Sequence, residues 1–92
     1  MRKIVINGCY GGFGLSDQAL NHYNKISDKS VPNSDHIPRD DPNLVRVVED
    51  MQDSANSKFS KLMIVEIPDH VQWQIMEYDG LEWIAEKHRT WK

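Results

Sequence analysis

Near the N-terminus, a strand-like segment runs into a glycine-rich corner and then into the start of a helix, in the stretch Lys3-Ile4-Val5-Ile6-Asn7-Gly8-Cys9-Tyr10-Gly11-Gly12-Phe13-Gly14-Leu15-Ser16-Asp17. The unbroken apolar run before the glycines is typical of a strand that is covered on both faces. Ser16 is a favourable helix N-cap, and Asp17 after it complements the helix dipole. These features predict a strand over residues 2–7 and a helix over residues 16–26.

Two further segments have clear patterns. Asp41 followed by Pro42 is typical of an N-cap and the first helical position. Apolar residues then recur at helical spacing and predict an amphipathic helix over residues 42–54: Leu44, Val47, Val48, Met51 and Ala55. The apolar run over residues 62–67 is rich in branched side chains, ends at Pro68, and predicts a second buried strand.

The C-terminal part predicts a β-hairpin. Asp79-Gly80 is a pair favoured in a two-residue type I′ turn, and strand-like segments flank it. This turn sets three cross-strand pairs: Tyr78 with Leu81, Met76 with Trp83, and Ile75 with Ile84. It also places Glu77 opposite Glu82, where like charges repel each other. Either a cation lies nearby or the register differs.

Together these elements predict a single α+β domain over the 92 residues. We expect a sheet of about four strands in the order β-α-α-β-β-β, with the hairpin at the C-terminal end. Both helices are expected on one face of the sheet, because each has a single apolar stripe. A chain of this length has room for one hydrophobic core.

The composition limits the classes of partner. The chain has 39% hydrophobic and 27% charged residues, which is typical of a folded protein. The formal net charge of -3 and a pI near 5.7 disfavour duplex nucleic acid as a partner. No apolar run approaches the roughly 18 residues of a membrane span, so no membrane partner is predicted. A single cysteine cannot form an intrachain disulfide, which favours a reducing cytoplasm.

The glycine-rich corner is the first candidate site. Closely spaced glycines ahead of a helix can direct several N–H groups at one anion, but they also suit a tight strand-to-helix turn. No lysine follows Gly14, so the segment does not match a Walker A loop, and it is not a Gly-x-Gly-x-x-Gly motif. As a binding site for a nucleotide or phosphate ligand, it would comprise Gly11, Gly12, Phe13, Gly14, Ser16 and the basic side chain of Arg39.

Evidence for catalysis is weaker. Cys9 follows the first strand, where α/β enzymes often place a nucleophile, but the spacing selects none of the four histidines as its base. A buried, inert cysteine is the commoner case. The acidic loop around His36 lacks the paired Cys or His ligands of a zinc site. We therefore predict no metal, no cofactor and no catalytic residue, and an enzyme using Cys9 stays open as an alternative.

Aromatic residues near the C-terminus indicate a contact surface. By the hairpin register, Trp73 and Trp83 lie on opposite faces, so one of them is expected to be exposed or covered by a partner subunit. Trp91 and Arg89 lie in a locally basic tail. We predict that these four residues contribute to an interface with a host protein or with a second copy in a homodimer.

Several segments together resemble a family of small uncharacterised proteins encoded by tailed bacteriophages: Ile4-Val5-Ile6-Asn7-Gly8-Cys9-Tyr10-Gly11-Gly12-Phe13-Gly14-Leu15-Ser16, Ile37-Pro38-Arg39-Asp40-Asp41-Pro42, Val65-Glu66-Ile67-Pro68-Asp69 and residues 78–91. Because the family carries no assigned chemistry, the resemblance implies a setting and not a reaction. That setting is the cytoplasm of an infected host bacterium. It implies a non-enzymatic accessory protein that binds and inhibits a host or bacterial-defence component, such as an anti-CRISPR-type inhibitor. The alternative is a nucleotide-binding protein that acts as a sponge for a signal.

Overall fold

The computed structural model describes residues 1–87 and gives an α+β fold, as predicted. Its strands and α-helices, in chain order, are β1 (Arg2–Asn7), α1 (Asp17–Ser27), α2 (Pro42–Met51), β2 (Leu62–Ile67), β3 (Trp73–Tyr78) and β4 (Leu81–Glu86). Two short 3-10 helices, Ser34–His36 and Gln52–Ala55, lie in the connections. The observed order agrees with the expected β-α-α-β-β-β order.

The strands form two separate antiparallel sheets, which corrects the prediction of one four-stranded sheet. β1 pairs with β2, and β3 pairs with β4. The reason lies along the other edge of β1, where Val5 N donates to Arg39 O at 2.9 Å and Asn7 N donates to the Glu82 carboxylate at 2.8 Å. These partners occupy the donors that a β1–β4 ladder would need, so β4 lies beside β1 without pairing with it.

The core forms where both helices meet one face of the β1–β2 sheet. Val5 and its cross-strand partner Ile64 belong to the same apolar cluster as residues of both helices. The fully buried side chains of this cluster are Val5, Ala19, Tyr23, Leu44, Val47 and Ala55. The apolar stripes of the two helices therefore pack into the core, as their spacing predicts.

The helix boundaries differ slightly from the prediction. The first helix begins at Asp17, directly after its predicted N-cap, and extends to Ser27. The second ends at Met51 rather than near residue 54, because Gln52 adopts a positive φ of 51° and the chain continues as a 3-10 turn. Among the helices of residues 1–87, none has the length and apolar character needed to cross a bilayer.

Both predicted N-caps are confirmed. Ser16 Oγ accepts a hydrogen bond from Ala19 N at 3.1 Å, and Asp41 Oδ1 accepts one from Asn43 N at 2.8 Å. The second carboxylate oxygen of Asp41 accepts a hydrogen bond from the buried Tyr23 hydroxyl at 2.8 Å. Asp41 therefore caps α2 and also links it to α1.

The Tyr23 hydroxyl makes the stability of this packing sensitive to alkaline pH. Burial, reinforced by the Asp41 carboxylate, raises the pKa of Tyr23 from 10.0 to about 12. The unfolded chain loses this proton first, so the contribution is complete below pH 10 and is lost as the pH rises through 12. The full effect is on the order of 2 kcal/mol.

We expect the midpoint of urea unfolding to fall between about pH 8 and about pH 11, and to fall less in Tyr23→Phe. At neutral pH this variant should lose about 1 kcal/mol, because the Asp41 hydrogen bond is gone. Groups that titrate in both proteins cancel in the comparison. A parallel decline in the two proteins would contradict the assignment to Tyr23.

Candidate functional site

An ion pair lies where the hairpin meets the body of the protein. The Arg39 guanidinium donates to both oxygens of Glu82, with Nη1–Oε1 at 2.6 Å and Nη2–Oε2 at 2.9 Å. The Glu82 side chain is only 7% exposed, so its charge needs these partners. The Phe13 ring stacks on the guanidinium, with its centroid 3.6 Å from Cζ.

This pair answers the question raised by the hairpin register. The structure confirms the register, including Glu77 opposite Glu82, and it confirms the turn, with φ of 54° at Asp79 and 94° at Gly80. Of the two alternatives that the sequence left open, the nearby cation is therefore the one observed, and it is Arg39. Glu77 instead accepts a hydrogen bond from Gly80 N at 2.6 Å. The two carboxylates therefore have separate partners.

Asn7 joins the ends of three segments and was not singled out from the sequence. Its Nδ2 donates to the carbonyl oxygens of Cys9 and Gly80, both at 2.7 Å, and its Oδ1 accepts from Lys61 N at 2.8 Å. The residue is completely buried. Strand alternation could have indicated it, because Asn7 lies on the same face as the core residue Val5.

Two of the glycines are explained by close approaches of the backbone. A Cβ on Gly11 would collide with the carbonyl oxygen of Phe59, and a Cβ on Gly80 would lie 2.5 Å from Gly12 N. The glycine-rich loop is thus held between the loop before β2 and the turn of the hairpin. This packing gives the glycines a structural role that requires no ligand.

A groove of about 360 Å³ lies beside the loop. Its lining consists of Gly12, Phe13, Asp35, Arg39, Glu77, Gly80 and Glu82. Three carboxylates therefore face one guanidinium, and that guanidinium is already paired with Glu82. This charge balance favours a cationic group in the groove over a phosphate.

The structure brings only half of the predicted ligand-binding residues to this groove. Gly12, Phe13 and Arg39 line it. Gly11 packs on Phe59, and Gly14 lies against Ser57. Ser16 caps α1 through Ala19 N and donates its hydroxyl to Ser54 O at 2.8 Å.

Exposed aromatic side chains gather at the same end of the molecule. Tyr10, Phe59 and Tyr78, which we call the aromatic tip, are exposed by 66%, 65% and 70%. The contacts of Gly80 with the Tyr10 backbone, and of Gly11 with Phe59, bring their three segments together. Large aromatic side chains this exposed are typical of contact surfaces.

The hairpin continues this surface along one face. Strand alternation places Met76, Tyr78 and Trp83 on the same side, and Met76 and Trp83 form a cross-strand pair. These three residues, which we call the outer hairpin face, are exposed by 39%, 70% and 45%. Trp73 lies on the opposite side, as the register predicts. It is partly buried, so Trp83 is the more exposed of the two. The other two predicted interface residues, Trp91 and Arg89, lie outside the described residues.

Cys9 is hydrogen-bonded to groups that are not bases. Its thiol contacts Phe59 O at 3.3 Å and Asn7 Oδ1 at 3.4 Å, and it is partly buried. His22 lies near Asp50, at 3.7 Å. Within residues 1–87, no three His, Cys, Asp or Glu side chains are grouped so that they could hold a metal ion.

No protein family, curated protein or solved structure matches this chain.

Removing one partner of the Arg39–Glu82 pair should destabilise the fold strongly. We expect Arg39→Ala to lower the free energy of unfolding by about 3 kcal/mol, because it leaves the buried Glu82 carboxylate uncompensated. Lys3→Ala is the matched control, since it breaks an exposed pair with Glu49 and should lower the free energy of unfolding far less. Urea unfolding measures both variants. If the two variants lost similar free energies of unfolding, the buried pair would not contribute more to stability than the exposed pair does.

Proposed function

We propose that this protein is a non-enzymatic accessory protein of a tailed bacteriophage, which binds and inhibits a host or bacterial-defence protein in the host cytoplasm. Its contact surface consists of the aromatic tip and the outer hairpin face. The observation that carries the proposal is the exposure of three aromatic side chains at one end of a small, acidic molecule. The phage setting is supported by the resemblance described above.

The energetics of this surface favour a protein partner. Each exposed aromatic side chain leaves apolar area in water, and covering that area would contribute to binding. Tyrosine and tryptophan are enriched among the residues that dominate binding energy, and Tyr10, Tyr78 and Trp83 provide three of them. Their concentration on one end of the fold allows a single partner to cover several at once.

The segments beneath the surface are joined by hydrogen bonds and an ion pair, which also favours binding. Asn7 and the ion pair of Glu82 with Arg39 fix the hairpin against the body. The aromatic tip lies on segments that these contacts hold together. Association should therefore cost little backbone conformational entropy. Glu77 and Asp79 are exposed beside the tip and favour a partner with basic side chains around its apolar contact.

Capture from a host lysate, compared across matched variants, tests the proposal. We expect tagged wild-type protein to retain a specific bacterial protein, identified by mass spectrometry, and Tyr78→Ser with Trp83→Ser to bind it at least about tenfold more weakly. Arg46→Ala is the control, because that side chain is 72% exposed and lies on α2. Addition of the wild-type protein should then lower the activity of the captured partner.

Two results would contradict the proposal. Equal capture by the wild type and the double variant would show that Tyr78 and Trp83 do not bind the partner, and it would contradict the assigned surface. If the purified protein turned over a substrate, and this activity disappeared in Cys9→Ala, the non-enzymatic assignment would be wrong. Circular dichroism of each variant confirms that the comparison concerns folded protein.

A small-ligand function is the second candidate, and the groove beside Gly12, Phe13 and Arg39 favours it. A bound nucleotide or cyclic dinucleotide would stabilise the protein, by about 2.7 kcal/mol at 100 times its dissociation constant. The carboxylates of Asp35 and Glu77 weigh against a phosphate there.

Thermal unfolding with a panel of nucleotides, inorganic phosphate and polyamines distinguishes the ligand classes. From the charge of the groove, we expect a larger shift in Tm with a polyamine than with any phosphate compound. Asp35→Asn should reduce the shift caused by a polyamine, while Asp53→Asn serves as the control, because Asp53 does not line the groove. A shift with a cyclic dinucleotide that survives in both variants would instead support the signal sponge.

A further inference from the structure

The outer edge of β3 is the most exposed strand edge of the hairpin. β3 pairs with β4 on one side, and within residues 1–87 no strand pairs with its other side. A two-stranded sheet is marginal by itself, and additional strands stabilise it. Four of the six residues of β3 are exposed. An additional strand therefore has access to this edge.

The hairpin geometry identifies the backbone groups that face outward. In a two-residue hairpin, Tyr78 and Leu81 exchange hydrogen bonds, and such pairs alternate along the ladder. The hydrogen bond from Lys87 N to Gln72 O, at 2.9 Å, fits the same alternation. The N–H and C=O groups of the intervening residues therefore point away from β4; these residues are Trp73, Ile75 and Glu77.

The sequence of β3 lacks the usual protection of an edge strand. Natural edge strands often carry lysine, proline or a bulge, and Trp73-Gln74-Ile75-Met76-Glu77-Tyr78 contains neither of those residues. Its single charge, on Glu77, is engaged by Gly80 N. The edge of β2 differs, because Leu62 N donates to the side chain of Asn56 at 2.7 Å. β3 is therefore the better edge for pairing.

We propose that two copies of this chain pair through the outer edges of β3, in an antiparallel register centred on Ile75. The strand order across the dimer is then β4-β3-β3-β4, which makes one four-stranded sheet from two hairpins. Trp73, Ile75 and Glu77 supply about six backbone hydrogen bonds between the copies. This proposal does not rest on the proposed function.

The side chains are compatible with this register. Ile75 lies opposite Ile75 of the second copy, Trp73 lies opposite Glu77, and Gln74 lies opposite Met76. No like charges oppose each other across the contact, whereas a charged pair at the centre would repel. The dimer also places two outer hairpin faces side by side and so doubles the apolar surface offered to a partner.

The expected association is weak and can be measured directly. One strand from each chain gives an interface at the low end of specific contacts, so we expect a dissociation constant of roughly 0.1 to 1 mM. Sedimentation equilibrium over this concentration range should show the mass rising from 10.7 kDa towards twice that value.

Two variants with matched substitutions test the register. Gln74→Lys with Met76→Lys places lysine opposite lysine across the contact and should abolish the dimer. Gln74→Lys with Met76→Glu places lysine opposite glutamate and should restore it. Both positions are exposed, so each variant should fold alike, which circular dichroism checks.

Each alternative result decides against the proposal. If the mass of the wild-type protein stays at 10.7 kDa over the whole concentration range, no dimer forms and the proposal is wrong. Equal association of both variants would place any interface elsewhere. Loss of association in both variants would contradict the register centred on Ile75.

Discussion

The Glu82 carboxylate holds together parts of the chain that the backbone ladders leave separate. It accepts hydrogen bonds from the Arg39 guanidinium and from Asn7 N, so one charged group joins β4, the loop before α2 and the end of β1. Because Glu82 is buried, these partners offset the cost of removing its charge from water. The hairpin is consequently positioned by an ion pair and side-chain hydrogen bonds rather than by a continuous sheet.

The position of the hairpin determines where the aromatic tip and the groove lie. Asn7 fixes the turn through Gly80 O, and this places the aromatic tip beside the glycine-rich loop. The same arrangement brings Glu77 and Asp35 to the groove and gives it an acidic character. A loop that could in principle receive an anion therefore borders a groove whose carboxylates outnumber its one guanidinium.

The hairpin offers a face and an edge, and the two can act together. The outer hairpin face presents apolar and aromatic side chains, while the edge of β3 presents backbone donors and acceptors. Contacts at an edge leave the faces of a sheet free. The proposed second copy at the edge is therefore compatible with the proposed host or defence protein on the face.

Local patterns in the sequence were sufficient to predict the helices, both N-caps, the hairpin turn and its register, because each depends on residues close together in the chain. For the opposed carboxylates of Glu77 and Glu82, they left two alternatives, a nearby cation or a different register. They could not identify Arg39 as that cation, or Asn7 as a link between segments, because these contacts join residues 43 and 73 positions apart. The division into two sheets follows from those distant contacts, since only folding brings the competing donors and acceptors together.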